Sequence, residues 1–283
     1  MKTRDLAIRV LAVWIYLFVV QAVLGMLITT TAAPPENAGP WFLLSNLLVA
    51  LSLCLLANRS DWSGVRLAAS VSCVPAIMML TNLLEGFVFL TNTSINWPME
   101  ALRTCLAWIL TMPLWPMLFP KSTLLQAHFR PIAARTWQAR LGKFLLSALS
   151  YPVLYFVAGM IVFPFVREFY STQTLPPRGL LFLLQLLVRG PVYIGLCILM
   201  TRMLGLARLP GALVVGAILA TLNGIAPLII PSSIFPDPVR FAHMIEITTS
   251  NLAFGFIVAW LWGPVGAQES RYHGEGVPEG AAG

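Results

Sequence analysis

Charged and amide side chains inside long apolar runs are the residues of this chain that could carry chemistry. Arg189 lies at the middle of the apolar run 180–201 and is followed directly by Gly190 and Pro191. Proline removes a backbone donor and clashes with the preceding turn, so a kink is expected beside a permanently charged guanidinium. Such a broken helix with an arginine is what an anion or carboxylate site in a transporter needs. The alternative is that Arg189 pairs with a buried glutamate and only joins two helices.

Other polar residues fall at the same depth as Arg189 or further toward one side of the membrane. At about 1.5 Å per residue, Asn223 and Asn251 are level with Arg189, while Glu85, Arg103 and Glu246 lie roughly 9 Å outward. Helical spacing also places Asn82 below Glu85, and Gln185 outward of Arg189. We therefore expect a polar pocket that is open to the outside and closed below. The predicted substrate-binding residues are Arg189, Glu85, Arg103, Glu246, Asn223, Asn251, Gln185 and Asn82.

Equal depth on neighbouring helices predicts which charged groups meet. We expect Glu85 to pair with Arg103, since consecutive antiparallel helices bring them together, and Glu246 to pair with Arg189. Glu100 and Arg103 have the i,i+3 spacing of an ion pair at a helix start.

Catalytic and metal motifs are weakly represented. His243 and Glu246 would lie on one helical face, but a lone histidine at a helix mouth is more typical of capping than of a metal site. The sequence has no Gly-rich phosphate loop, no Ser/His/Asp pattern and no CxxC. We predict no catalytic residues, no metal and no cofactor, and an enzyme is the less favoured class.

The elements that must position these residues are apolar helices. Only 10% of the residues are charged, against about 25% in soluble domains. Runs of about 17–25 mainly apolar residues suffice to cross about 30 Å of lipid as helices. The sequence therefore predicts an all-α, polytopic integral membrane protein with eight transmembrane helices. The runs are 8–29, 41–57, 67–90, 99–119, 144–165, 180–201, 212–230 and 244–262.

Basic residues between the runs predict the orientation. Most of the 18 lysines and arginines lie on the side of the termini, whereas the opposite side has Arg167, Arg178 and Arg240. Basic loops remain in the cytoplasm, so we expect a multi-pass protein of the cell (inner) membrane with both termini cytoplasmic. The net charge of +7 follows from this topology. We expect the lipid bilayer as partner and no nucleic acid, and the sequence leaves the oligomeric state open.

Two four-helix halves are expected, 1–120 and 144–265, joined by a basic cytoplasmic linker at 121–143. The linker mixes arginines with apolar residues, so an interfacial helix is one interpretation and a plain basic connection the other. The tail 266–283 is rich in Gly and Glu, which predicts disorder. Thr81-Asn82 in the third run resembles Thr221-Leu222-Asn223 in the seventh, which is one sign of two parallel four-helix repeats.

Three functions from different classes fit these features. The first is a secondary transporter or permease for a small, anionic solute that uses the outward-facing polar cluster. The second is a non-transporting membrane subunit, sensor or assembly factor in which buried charges only specify helix pairing. The third is an intramembrane enzyme that acts on a lipid with Glu85, Glu100 or Glu246 as acid or base. A water-accessible cavity lined by Arg189 would favour the first function, and a dry, fully paired network the second.

Overall fold

The computed structural model describes residues 3–29, 35–89, 95–120, 136–172, 176–232 and 235–264, and these form helices and short connections without a β-strand. The helices confirm the predicted all-α class and the number of apolar spans. Eight of them are long and apolar enough to cross a membrane, and we number them α1 to α8. They are α1 (Arg4–Leu27), α2 (Ala38–Arg59), α3 (Gly64–Phe89), α4 (Trp97–Leu118), α5 (Trp137–Ser171), α6 (Arg178–Leu204), α7 (Arg208–Leu228) and α8 (Asp237–Trp262).

Each half of the chain forms a ring of four contacting helices. In the first half α1 contacts α2, α2 contacts α3, α3 contacts α4, and α4 returns to α1. In the second half α5 to α8 make the corresponding contacts. The halves meet through α2 and α3 on one side and α6 and α7 on the other. Two four-helix repeats would produce this pattern, and the repeat itself stays a prediction.

Two wide turns interrupt α6 and α7 at mid-helix. Leu184–Arg189 and Thr221–Ile225 are π-helical, with Gly190 N–H donating to Gln185 O and Ala226 N–H to Thr221 O. Each turn ends two residues before a proline, Pro191 or Pro227. Because proline cannot donate to the carbonyl four residues earlier, the helix accommodates the lost bond by widening. The irregularity expected beside Arg189 is therefore a π turn.

Helix α5 starts inside the predicted linker. The Thr136 side chain accepts a hydrogen bond from Ala139 N–H at 3.3 Å, and the helix runs from Trp137 without a break through Pro152 and Pro164. Residues 137–143 are therefore the first two turns of a span. The rest of the linker, including the segment interpreted as an interfacial helix, lies outside the described residues, as does the tail 266–283.

The tightest helix packing joins α7 to α8. A Cβ atom at Gly255 would lie 2.8 Å from Gly216 Cα, and one at Gly224 would lie 2.9 Å from Thr248 Cα. Small residues let the backbones of membrane helices approach this closely. Large apolar side chains such as Met26 and Phe165 instead face outward, 82% and 73% exposed. An apolar exterior of this kind fits a lipid bilayer.

Candidate functional site

Arg189 lies at the centre of the bundle among polar and aromatic side chains. Its side chain forms an ion pair with Glu85, and Nη2 donates to Asn82 Oδ1 at 2.8 Å. Gln185, one turn away on α6, accepts from Arg189 Nη1 at 3.4 Å and donates to Glu85 Oε1 at 3.2 Å. Only 2% of Arg189 is exposed. The charge is therefore neutralised across the α3–α6 contact.

Tyr193 extends this network to α7. Its hydroxyl accepts from Arg189 Nη2 at 3.1 Å and lies 3.1 Å from Asn223 Oδ1. Asn82 Nδ2 donates to the same Asn223 oxygen at 2.8 Å, and Thr81 Oγ1 is 3.1 Å from the Tyr193 hydroxyl. Three helices, α3, α6 and α7, are thus joined by one polar network, which we call the central network: Thr81, Asn82, Glu85, Gln185, Arg189, Tyr193 and Asn223.

The two predicted ion pairs are wrong. Glu85 pairs with Arg189, and Arg103 pairs with Glu100 on its own helix. Glu246 bonds His243, with Glu246 Oε2 at 2.8 Å from Nδ1. Equal depth does not determine the direction in which a side chain leaves its helix, and Glu85 faces α6. The Glu100–Arg103 pair predicted from i,i+3 spacing is confirmed.

A second polar chain crosses from α8 to α5. His243 Nε2 lies 2.8 Å from the Tyr170 hydroxyl, and its Nδ1 lies 2.8 Å from Glu246. A Cβ atom at Gly159 would lie 3.2 Å from Glu246 Oε1, so a glycine on α5 makes room for this carboxylate. Among the described residues, no group of three or more His, Cys, Asp and Glu could hold a metal ion.

A cavity of about 400 Å³ lies where α1, α3 and α7 end and α2 and α4 begin. We call this end of the bundle the distal end and the space the distal cavity. Glu100 and Arg103 line it together with Asn46 and Gln21, and Asn82 of the central network also contributes to its wall. The lining includes neither Arg189 nor Glu85. The remaining lining residues are Pro35, Phe42, Ser45, Val49, Pro75, Met79, Trp108, Leu222, Ala226, Pro227, Ile230, Pro231 and Ser232.

The cavity in the opposite half of the bundle is mainly apolar. This cavity of about 370 Å³ between α1, α2 and α7 is lined by Leu6, Val10 and Leu55, and its polar lining is Ser52 and Thr221. The buried charged residues Arg189, Glu100 and Glu246 lie in the central and distal parts of the bundle, while the opposite half contains the neutral group of Ser72, Thr111 and Trp115.

A much smaller space, about 10 Å³, separates Arg189 from α8. Asn251 lines it, and neither Asn251 Oδ1 nor Arg189 Nε has a hydrogen-bond partner within the part of the chain that is described. Asn251 Nδ2 donates to Ile247 O at 2.7 Å, which fixes the orientation of the amide. Arg189 thus has one remaining donor, directed away from the distal cavity.

The structure brings most of the predicted site residues together. Arg189, Glu85, Asn82, Gln185 and Asn223 share the central network. Arg103 lies in the distal cavity, Asn251 beside the small space behind Arg189, and Glu246 in the separate chain with His243.

Sequence reasoning missed further contributors to these sites: Tyr193 and Thr81 in the central network, Gln21, Asn46 and Trp108 in the distal cavity, and Tyr170 beside His243. Tyr193 lies four residues after Arg189, and this helical spacing was the signal that could have identified it. Thr81 and Trp108 are common residues in apolar helices and gave no such signal.

Comparisons of the chain with known protein families, with curated proteins and with solved structures find no match. The proposals below therefore rest on the residues and their geometry alone.

Proposed function

We propose that this chain is a secondary carrier, or permease, that binds a small polar solute in the distal cavity. The supporting observation is the cavity itself, which places an Arg103–Glu100 ion pair and the amides of Asn46 and Gln21 around about 400 Å³. Sites for small molecules enclose roughly 300–1,000 Å³ and combine apolar walls with a few polar groups. The distal cavity has this composition.

The distribution of basic residues between the spans favours a multi-pass protein of the cell (inner) membrane whose two termini are cytoplasmic. In that orientation the distal end faces outward and receives the solute. The central network lies beneath the cavity, and Asn82 belongs to both. The π turns of α6 and α7 flank this floor. Such turns are frequent at functional sites, and we assign the opening of the floor to the turn in α6.

The charge of the cavity changes the expected solute. Arg189 is neutralised by Glu85 and does not line the cavity, so the solute meets Arg103 in its place. Arg103 is accompanied by Glu100, and the pair has no net charge. An isolated anion would gain from one side chain and be repelled by the other. We therefore propose a solute without net charge in place of the anion expected from Arg189.

Ligand binding followed by uptake tests the carrier. Detergent-purified protein is heated with amino acids, polyols, small anions and divalent metals, and a ligand at 100 times its Kd should stabilise the protein by about 2.7 kcal/mol. Arg103→Gln should abolish this stabilisation, whereas the matched control Arg167→Gln, an exposed arginine on α5, should retain it. Proteoliposomes should then exchange the radiolabelled ligand faster than empty liposomes. Equal exchange by both would refute transport.

The second candidate is a non-transporting membrane subunit in which the central network only holds helices together. The water-accessible cavity lined by Arg189 that would favour a transporter is not found among the described residues, because the lining of the distal cavity lacks Arg189. Arg189 is instead 2% exposed and bonded to Glu85, Asn82, Gln185 and Tyr193, which favours this second candidate. This function predicts that Arg189→Gln lowers the melting temperature while no solute in the panel binds. Ligand-dependent stabilisation that requires Arg103 would contradict it.

A further inference from the structure

The distal cavity presents two opposite charges on one face of α4. Glu100 and Arg103 are three residues apart, form an ion pair and both line the cavity. The Glu100 side chain is 10% exposed and that of Arg103 is 31% exposed. A guanidinium has five donors, so Arg103 retains donors for a second carboxylate while it holds Glu100.

Two buried donors on the same helix lack acceptors. Trp108 Nε1 and Thr104 Oγ1 have no hydrogen-bond partner among the residues that the structure describes, and both residues are more than nine-tenths buried. Trp108 lines the distal cavity, while Thr104 lies beside Arg103 and Glu100 in an adjoining space. An indole N–H donates only, so a ligand that completes this site must offer an acceptor. A buried donor without an acceptor is unfavourable, and binding would relieve that cost.

An acceptor for a cationic group is present as well. Asn46 lines the cavity and its Nδ2 donates to Phe42 O at 2.9 Å, so Oδ1 is the atom of this amide that can accept from a ligand. Together with the Glu100 carboxylate it provides acceptors for an ammonium group. Apolar wall residues, Met79 and Leu222 among them, leave room for a hydrocarbon side chain.

From these groups we infer that the solute is a zwitterion of the amino-acid class, with its carboxylate on Arg103 and Trp108 and its ammonium on Glu100. The inference rests on the proposed function, since it names the solute of the same cavity. A carboxylic acid alone would leave Glu100 as a repulsive neighbour, and an amine alone would do the same with Arg103. Only a ligand with both charges matches both side chains.

The test compares matched ligands on the unmodified protein. The first probes are the standard L-amino acids, which are ranked by the rise in melting temperature that each produces. The amino acid with the largest rise is then compared with its deaminated acid and its decarboxylated amine. Isothermal titration should give a Kd at least tenfold lower for the amino acid than for either analogue. An analogue that binds as tightly as the amino acid would overturn the inference, and no variant needs to fold for this result.

Variants then assign the charges. Glu100→Gln should shift the preference toward the deaminated acid, and Arg103→Gln toward the amine. Trp108→Phe keeps an aromatic side chain and removes the N–H, so it should weaken binding of the amino acid and the acid but leave binding of the amine unchanged. The exposed neighbours Arg167 and Glu168 on α5 supply the controls Arg167→Gln and Glu168→Gln, which should change none of the three Kd values. Unaltered preferences in both Glu100→Gln and Arg103→Gln would refute the assignment.

Failure of this inference is distinguishable from failure of the carrier. Exchange of a sugar or an anion by proteoliposomes, without amino-acid binding, would refute the zwitterion and leave the carrier in place. Amino-acid binding without exchange would refute the carrier and leave the ligand class in place.

Discussion

Arg189 shows how a permanent charge is accommodated at the middle of a membrane-spanning bundle. An arginine at the centre of an inserted helix costs about 2.5–3.5 kcal/mol on insertion scales, and burial removes both ions of a pair from solvent. Here Glu85 supplies the opposite charge, and Asn82 and Tyr193 accept two further hydrogen bonds. The pair therefore depends on both members, since removal of either leaves the other uncompensated.

Breaking the pair from either side should destabilise the protein. Arg189→Gln and Glu85→Gln should each lower the free energy of unfolding by about 3–5 kcal/mol, because each leaves one buried charge without its partner. The double variant should lose less than the sum of the two single losses. Melting temperatures of the purified variants in detergent measure this coupling.

The control for the pair is Arg167→Gln, which removes an exposed arginine and should leave the melting temperature nearly unchanged. Strict additivity of the Arg189 and Glu85 losses would contradict the pairing that the structure shows.

Several members of the central network were identifiable from the sequence because polar groups in apolar runs are conspicuous. This applies to five of its members: Glu85, Asn82, Gln185, Asn223 and Arg189. Their partners were not identifiable, since counting residues gives a height along the membrane normal and no direction around the helix axis. Arg103 illustrates the difference, because its partner Glu100 is on its own helix, as local spacing predicts.

At the scale of elements, the close packing of α7 against α8 depends on glycine. Gly216 and Gly255 face each other so closely that an added methyl group on either would contact the backbone of the opposite helix. Single glycines in apolar runs gave no indication of this, because the sequence does not show which faces meet. The π turns were partly predictable, since Pro191 and Pro227 signal an interruption but not its form.

Gly255→Ala should destabilise the α7–α8 contact. The new Cβ would lie 2.8 Å from Gly216 Cα, and overpacking of this kind costs about 1–3 kcal/mol. Gly195→Ala on α6 is the matched control, because a Cβ there meets no atom within 4 Å. The control should be neutral or gain up to about 1 kcal/mol from helix propensity. Thermal unfolding in detergent compares the two, and equal melting temperatures would contradict the close approach.

At the scale of the whole molecule, the eight spans and their order follow from the apolar runs with errors of only a few residues at most ends. The largest differences at helix starts are at α5 and α8, which begin at Trp137 and Asp237, where charged residues concealed the helix start. The helix contacts between the two halves could not be predicted from the sequence, because apolar surfaces of similar composition do not specify their neighbours.

The orientation makes a prediction for the complete chain. Green fluorescent protein fused to the C-terminus should fluoresce in bacterial cells, whereas alkaline phosphatase at the same position should be inactive, because the proposed orientation places both termini in the cytoplasm. Fusions in the loop between α5 and α6 should behave in the opposite way. Active phosphatase at the C-terminus would reverse the assignment of the distal end.

The glycine contacts between α7 and α8 have a consequence for alternating access in the proposed carrier. Two helices whose backbones touch at Gly216, Gly224 and Gly255 resist separation, so they would move together as one rigid unit, a single lever. A passage to the cytoplasm would therefore form along the contact between this pair of helices and α2 with α3, where the amide contact of Asn82 with Asn223 can exchange partners. Distances from α7 to α8 would stay constant through a transport cycle, while those from α7 to α2 would change.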